Sequence, residues 1–384
     1  MVAAVRDGAS QRSVARRFGV GLATLQLWLA RAGDGSLEAV DWRDRSHAPL
    51  TVRRTAAELE ARILEHRREL RGQSALGEYG PAAIRRALEA GADGGAAVPS
   101  LRTIARVLER RGALDATRRV RRPAPPPGWH LPDVRARAAE LDSFDVIEGL
   151  RFRGGSWLDV LTGISLHGAL ADAWPMTGVA SARVVLALTE RWRTEGLPGY
   201  AQFDNDTRFI GGWAHPNSIG AVIRLCLALG VVPVFVPPRE MGFQASVEAF
   251  NGRWQQAVWG RRSMHADLAA IETSSSAYVA AWRGRHAVRI EAAPERRPFP
   301  AEPPDPRRPP AGRLVFLRRT GDTGRVEVLG LRYPVSRLWV RRLVRAELDL
   351  DARRLRFFGL RRRDPDDQPL LAEAAYVPPE RWYR

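Results

Sequence analysis

The chain has 384 residues, 45% of them hydrophobic, with a formal net charge of +17 and a pI near 11.3. That length predicts two to four domains with their own cores, and that charge predicts a polyanionic partner, most simply nucleic acid. A single cysteine excludes an internal disulfide and a Cys/His zinc cluster, and no apolar run reaches the roughly 18 residues of a membrane span.

All 60 basic residues are arginines, and lysine is absent. Guanidinium groups grip phosphate bidentately. The start, Met1-Val-Ala-Ala-Val-Arg6, lacks the basic n-region and long apolar h-region of a signal peptide. The expected location is the bacterial cytoplasm, at the nucleoid, with no membrane partner.

Residues 1–32 are expected to form a helix-turn-helix. Ser10 is placed to cap a helix from Gln11 to Phe18, with Val14, Ala15 and Phe18 turned inward. Gly19 supplies the turn. A second helix from Leu22 to Ala32 carries Leu22, Leu25, Trp28 and Leu29 at helical spacing, which leaves Thr24, Gln26 and Arg31 for DNA. Such pairs place their second helix in the major groove. Residues 33–54, around Trp42-Arg43-Asp44-Arg45-Ser46-His47-Ala48-Pro49, read as a basic linker lying along phosphates.

Residues 55–114 predict a second helical, DNA-binding unit. Its helices run from Ala57 to Leu70, from Pro81 to Leu88 with proline in the first turn, and from the Ser100 cap to Gly112. Arg102, in the first turn of the third helix, is counted among the DNA contacts. Residues 115–132 hold Arg118, Arg119, Arg121 and Arg122 ahead of a proline run, an extended interdomain linker suited to strap DNA.

Residues 133–298 alternate between strand and helix patterns. Strands are expected at Leu141–Glu148, Trp157–Ile164, Ser165–Trp174, Gly199–Asp204 and Val231–Val236. Helices are expected at Ala182–Thr194, at Ser218–Leu229, where Cys226 is a core residue, and from Gln244 to about Val258. After a Pro-rich linker at 299–312, residues 313–384 alternate apolar and polar positions between glycines. They predict a small, strongly basic, barrel-like β domain that touches phosphates without reading sequence.

Three acidic residues stand out in the middle region. Asp145 and Asp204 lie on or at the end of strand-like apolar runs, and Glu248 lies on an amphipathic helix. Mg²⁺ usually takes one or two protein carboxylates together with substrate phosphates. Two such ions about 3.5–4 Å apart can serve both oxygens of a phosphodiester displacement. Glu248 shares a helical face with Gln244, Asn251 and Gln255, opposite Val247, Phe250, Trp254 and Val258, and so points toward a cleft. Asp142 and Asp145 are three apart on one strand and face opposite sides; Asp145, after Phe144 and before Val146-Ile147, is preferred. Asp142, Asp206 and Glu240 stay open as further participants, with Asp206 expected to cap the following turn.

The pattern Asp204-Asn205 followed by Phe209, then Val247-Glu248-Ala249-Phe250-Asn251, resembles the catalytic core of DDE transposases of the retroviral-integrase superfamily. Gly80 to Ile84, Pro99 to Ile104 and Arg110-Arg111-Gly112 resemble the second helix-turn-helix of insertion-sequence transposases. The resemblance implies a multidomain chain with N-terminal all-α helix-turn-helix units, a central α/β ribonuclease-H-like core and the C-terminal β domain. It implies Mg²⁺ or Mn²⁺ held by Asp145, Asp204 and Glu248, with Arg253, Arg261 and Arg262 on phosphates. It also implies double-stranded DNA as partner, nicking and strand transfer as reaction, and a homo-oligomer that joins two element ends. Two features depart from the pattern: Asp206 stands where glycine is usual, and 43 residues separate Asp204 from Glu248, whereas Glu240 leaves the 35 common in the family. They keep open an alternative, a transposase-derived DNA-binding regulator without catalysis.

Overall fold

Ser10 opens the first helical pair as expected: its hydroxyl accepts the Ser13 N–H at 3.3 Å. The computed structural model describes residues 1–43, 55–91, 98–114, 125–152, 155–211, 217–260, 267–302, 305 and 309–379. These fall into two compact units, Met1–Ala56 and Ala57–Arg384.

In the first unit, α1 (Val2–Arg6), α2 (Gln11–Arg17) and α3 (Leu22–Ala32) meet over Val14, Ala15 and Leu25. Gly19 takes φ +65° in the turn, a conformation that glycine adopts without a Cβ clash. Phe18 does not join this core. It sits at the C-cap, 47% exposed, beneath the Arg17 guanidinium. Trp42 folds back onto Trp28, with ring centroids 5.7 Å apart, so the described start of the expected linker packs on α3. Residues 44–54, the rest of that linker, lie outside the described residues.

The second unit begins with α4 (Ala57–Gln73), α5 (Pro81–Ala90) and α6 (Leu101–Arg110) around Ile63, Ile84, Leu88, Ile104, Val107 and Leu108. Ser100 caps α6 through the Thr103 N–H. The buried Glu60 on α4 takes Arg110 and Arg111 at the other end of α6, which fixes the crossing. Arg118 and Arg119, the expected strap, lie outside the described residues.

The core follows as α7 (Pro132–Arg135), β1 (Leu141–Arg151), β2 (Trp157–Ser165), β3 (Ala171–Met176), α8 (Ser181–Glu195), β4 (Tyr200–Phe203), α9 (Thr207–Ile210), α10 (Ala221–Ala228), β5 (Val232–Phe235) and α11 (Ala245–Trp254). A π-helical turn at Gln255–Trp259 prolongs α11. Next come α12 (Leu268–Arg285) and α13 (Ala287–Glu291), and then β6 (Arg313–Arg319), β7 (Arg325–Val328), β8 (Leu331–Pro334), β9 (Leu343–Asp349), β10 (Arg354–Gly359) and β11 (Leu370–Ala375). Strand β3 starts six residues later than expected, because residues 165–170 form a turn. The buried Glu140 carboxylate accepts the N–H groups of His167 and Gly168 at 2.9 Å, and Ser165 Oγ accepts that of Leu170.

A mixed nine-stranded sheet orders these strands as β11-β10-β9-β6-β5-β4-β1-β2-β3; β7 and β8 form a separate hairpin. This corrects the expected C-terminal barrel. Strand β6 pairs in parallel with β5 through Val234↔Val315 and Phe235↔Phe316, so the C-terminal strands extend the core sheet. The physical reason is the inner face of β6. Phe144, Phe203, Phe235 and Phe316 lie ring to ring across β1, β4, β5 and β6, with successive centroids 5.5, 5.9 and 5.3 Å apart. Aromatic pairs at such spacings add about 0.5–1.5 kcal/mol each beyond burial. Within the region expected to be a β domain, Leu338-Trp339-Val340 forms a turn in which Trp339 is buried.

Candidate active site

Alternation along β1 decides the surroundings of its two aspartates. Asp142 and Phe144 face α8, whereas Asp145 faces α11. The buried Asp142 carboxylate accepts from Arg191 Nε at 3.1 Å, from Trp192 Nε1 at 3.2 Å and from Arg296. Arg191 continues to Asp172, which also takes Arg283. Burial alone would raise Asp142, but the two guanidinium groups hold it far below the usual carboxylate range. Asp142 belongs to a compensated structural network.

Asp145 has no such compensation. Its Oδ1 accepts the Val146 N–H at 2.9 Å and its Oδ2 accepts Asn251 Nδ2 at 2.8 Å. Burial raises its pKa first, and the negative charges of Asp204 and Glu248 add to that. Together they outweigh the two hydrogen bonds and push it up to about 6. Asp204, half-buried just past β4, is raised as well, by burial and by the Asp206 and Glu148 carboxylates, against the Asp206 N–H and Arg208. Glu248 is exposed on α11, with Val247, Phe250 and Trp254 buried on the other face.

The helix that carries Glu248 is fixed at its start. Gln202 on β4 donates to the Phe243 carbonyl at 2.8 Å, and Gln244 donates to the Phe144 carbonyl at 3.1 Å. Behind Gln202, the buried His130 donates from Nε2 to Gln202 Oε1 at 3.1 Å. Burial lowers its pKa to about 4, so the ring is neutral at physiological pH. One turn after Glu248, Asn251 joins α11 to the sheet: Thr162 on β2 donates to its Oδ1 at 2.7 Å while its Nδ2 holds Asp145. Asn251 is legible as part of a motif, but its bond to Asp145 carries no sequence signal.

The other acidic candidates are engaged elsewhere. Asp206 caps α9 through the Arg208 N–H and pairs with the Arg208 side chain, which also reaches Glu148. Glu240 pairs with Arg319 and lies 3.7 Å from Arg362. Among the described residues, no group of three or more His, Cys, Asp or Glu side chains is drawn close enough to hold a metal ion. The donor set nonetheless suits a hard cation. Two carboxylates with raised pKa and a third nearby leave negative charge uncompensated, and Mg²⁺ completes its shell with water and phosphate oxygens.

Of the expected DNA contacts, Thr24 and Gln26 are exposed on α3, with Gln26 3.4 Å from Gln11. Arg31 is half-buried: it lies over Trp28 and donates to the Arg43 carbonyl. Arg102 is exposed on α6. Arg253 is exposed on α11, over the Trp282 ring. Arg261 and Arg262 lie outside the described residues.

No family model and no curated protein matches the chain. Among solved structures, it is similar to a chain of the simian T-cell lymphotropic virus intasome in complex with the PP2A regulatory subunit B56 gamma. The identity is 13% and the TM-score 0.34, over 70% of this chain and 88% of that one. It is also similar to the BIV integrase catalytic core domain, at 16% identity and TM-score 0.27 over 38% of this chain and 81% of that one. The HTLV-2 integrase catalytic core domain in complex with magnesium is 12% identical, with TM-score 0.26 over 37% of this chain and 83% of that one. Likeness at this distance assigns no chemistry to the present chain. No helix among the described residues is long and apolar enough to cross a membrane.

Proposed function

We propose that the protein is a DDE-type polynucleotidyl transferase, a transposase or integrase that binds element ends and cuts and joins DNA. The observation that carries this reading is the uncompensated acidic cluster: Asp145 is raised to about 6 partly by Asp204 and Glu248, whereas Asp142 on the same strand is neutralised by arginines. An inert DNA-binding regulator has no use for half-buried, mutually repelling aspartates such as Asp145 and Asp204, whose desolvation costs stability.

In this reading Asp145, Asp204 and Glu248 hold Mg²⁺ or Mn²⁺. The bound cation would polarise the phosphodiester and lower the pKa of the attacking water or 3′-hydroxyl. Asn251 and the Val146 N–H orient Asp145, and the Asp206 N–H orients Asp204. Gln202 and Gln244 fix the start of the helix that brings Glu248 to the other two. Arginines of the helical units and of the C-terminal strands hold DNA phosphates, and two copies work together when two ends are joined.

The experiment is a nicking and joining assay on DNA carrying the element ends, with Mg²⁺ or Mn²⁺. Asp204→Asn and Glu248→Gln should abolish both reactions and leave end binding within a few-fold of the parent protein. Wild-type cleavage by either variant would remove the proposed mechanism.

A further inference from the structure

Strand β6 carries a cation on its inner, apolar face. Leu314, Phe316 and Arg318 share that face by strand alternation, and Arg318 is 8% exposed. Its guanidinium is held by neutral acceptors. Nε donates to the Glu327 carbonyl at 3.2 Å, and Nη1 to the carbonyls of Leu317, Val236 and Phe235 at 2.9, 3.3 and 3.5 Å. Nη2 donates to the side-chain oxygen of Asn205 at 2.8 Å. Asn205 in turn donates to the Val236 carbonyl at 2.6 Å, so its amide is gripped at both ends.

The location gives these contacts their meaning. Strand β5 ends at Phe235, ahead of Pro237-Pro238, which have no N–H with which to continue a ladder. Strand β4 ends at Phe203, directly before Asp204 and Asn205. Burying a guanidinium without a carboxylate costs several kcal/mol before its hydrogen bonds are counted. An apolar side chain would fill the inner face of β6 at lower cost. Only a forked donor spans the ends of β5 and β6 and also reaches the side chain next to Asp204.

We propose that Arg318 is a positioning residue: through Asn205 it fixes the turn that presents Asp204, and so makes the C-terminal strands part of the active site. The proposal rests on the polynucleotidyl-transferase reading for its consequence, but its structural half can be read without it. A partner that orients a metal-binding group through one intermediate residue typically changes metal affinity roughly 10- to 100-fold when removed.

The test uses the full chain and two variants, Arg318→Met and Asn205→Ala. The second breaks the same contact from a half-buried turn and keeps the assay interpretable if the first does not fold. Leu355→Ala, a buried change on β10, two strands away from β6, is the control for general destabilisation. Two readouts are compared: hydrogen exchange of the backbone over residues 203–211, and Mn²⁺ affinity by electron paramagnetic resonance. Both variants should exchange faster over 203–211 and bind Mn²⁺ at least about tenfold more weakly, with Leu355→Ala unchanged in both. Arg318→Lys should recover part of the protection. Exchange over 203–211 that matches the parent protein in both variants would overturn the proposal. Faster exchange in a protein whose parent binds no Mn²⁺ would keep the positioning contact and overturn the metal-dependent reading.

Discussion

Two aspartates three residues apart on β1 have opposite electrostatics, and the difference is measurable. Asp142 sits between Arg191 and Arg296. Asp142→Asn leaves two buried guanidinium groups undercompensated and should destabilise the protein by about 3–5 kcal/mol in urea unfolding. Asp145→Asn should do the reverse without metal. The Asp145 pKa is raised to about 6 in the folded protein, above its ordinary value of 3.8, so ionising it penalises the fold. The penalty is absent below about pH 4, grows as pH rises toward 6 and is complete above that. At pH 7.5 without divalent cations, Asp145→Asn should therefore be more stable than the parent by on the order of 1–3 kcal/mol. The gap should close in acid, and Mg²⁺ should stabilise the parent and not the variant. A variant no more stable than the parent at pH 7.5 would mean that Asp145 carries no such strain. At this scale the sequence is informative about faces: strand alternation separates Asp142 from Asp145, and helical spacing sets Glu248 opposite Phe250 and Trp254. Helical spacing also puts Asn251 on the Glu248 face, but neither pattern hints that Asn251 bonds Asp145 or that His130 and Gln202 stand behind the site, because single hydrogen bonds between distant elements leave no periodic trace.

Periodicity makes the core elements legible, and most strand and helix ends fall within a few residues of expectation. Helix α12 is not expected from the sequence. Its centre holds Ser274, Ser275 and Ser276, which blur the apolar stripe, and the buried Ser275 accepts from Trp254 Nε1 at 3.0 Å. The C-terminal strands are legible as strands but not as members of the core sheet. Alternation tells which side chains share a face, and it does not tell which edge the face will meet. The phenylalanines running from Phe144 to Phe316 supply that missing link and give a test. Phe316→Ala should cost about 3–5 kcal/mol and shift one cooperative unfolding transition of the core and C-terminal strands together. Two separate transitions, with only the later strands weakened, would restore an independent C-terminal domain.

At the scale of the whole molecule, charge and chemistry are divided. The acidic cluster sits within β1, just past the end of β4 and in the first turn of α11, while the helical units and the outer strands carry the arginine excess. Removing residues 1–56, a compact unit of its own, should reduce the preference for cognate ends and leave weak, salt-sensitive DNA affinity. Each DNA phosphate that the shortened protein no longer neutralises should lower the slope of log K against log salt by about 0.9. Competition binding with cognate and scrambled duplexes between low and moderate salt reads both quantities; an undiminished preference would move recognition into the remainder of the chain. The central claim, that the carboxylates serve metal-dependent chemistry at the phosphodiester, is tested most directly by replacing one non-bridging oxygen of the phosphate to be cut with sulfur. Hard Mg²⁺ binds sulfur poorly and Mn²⁺ tolerates it better. The account predicts nicking that is slowed by sulfur in Mg²⁺, restored in Mn²⁺ and absent from Asp204→Asn in either metal. Equal nicking of the oxygen and sulfur substrates in Mg²⁺, or nicking that survives chelation of all divalent ions, would contradict it.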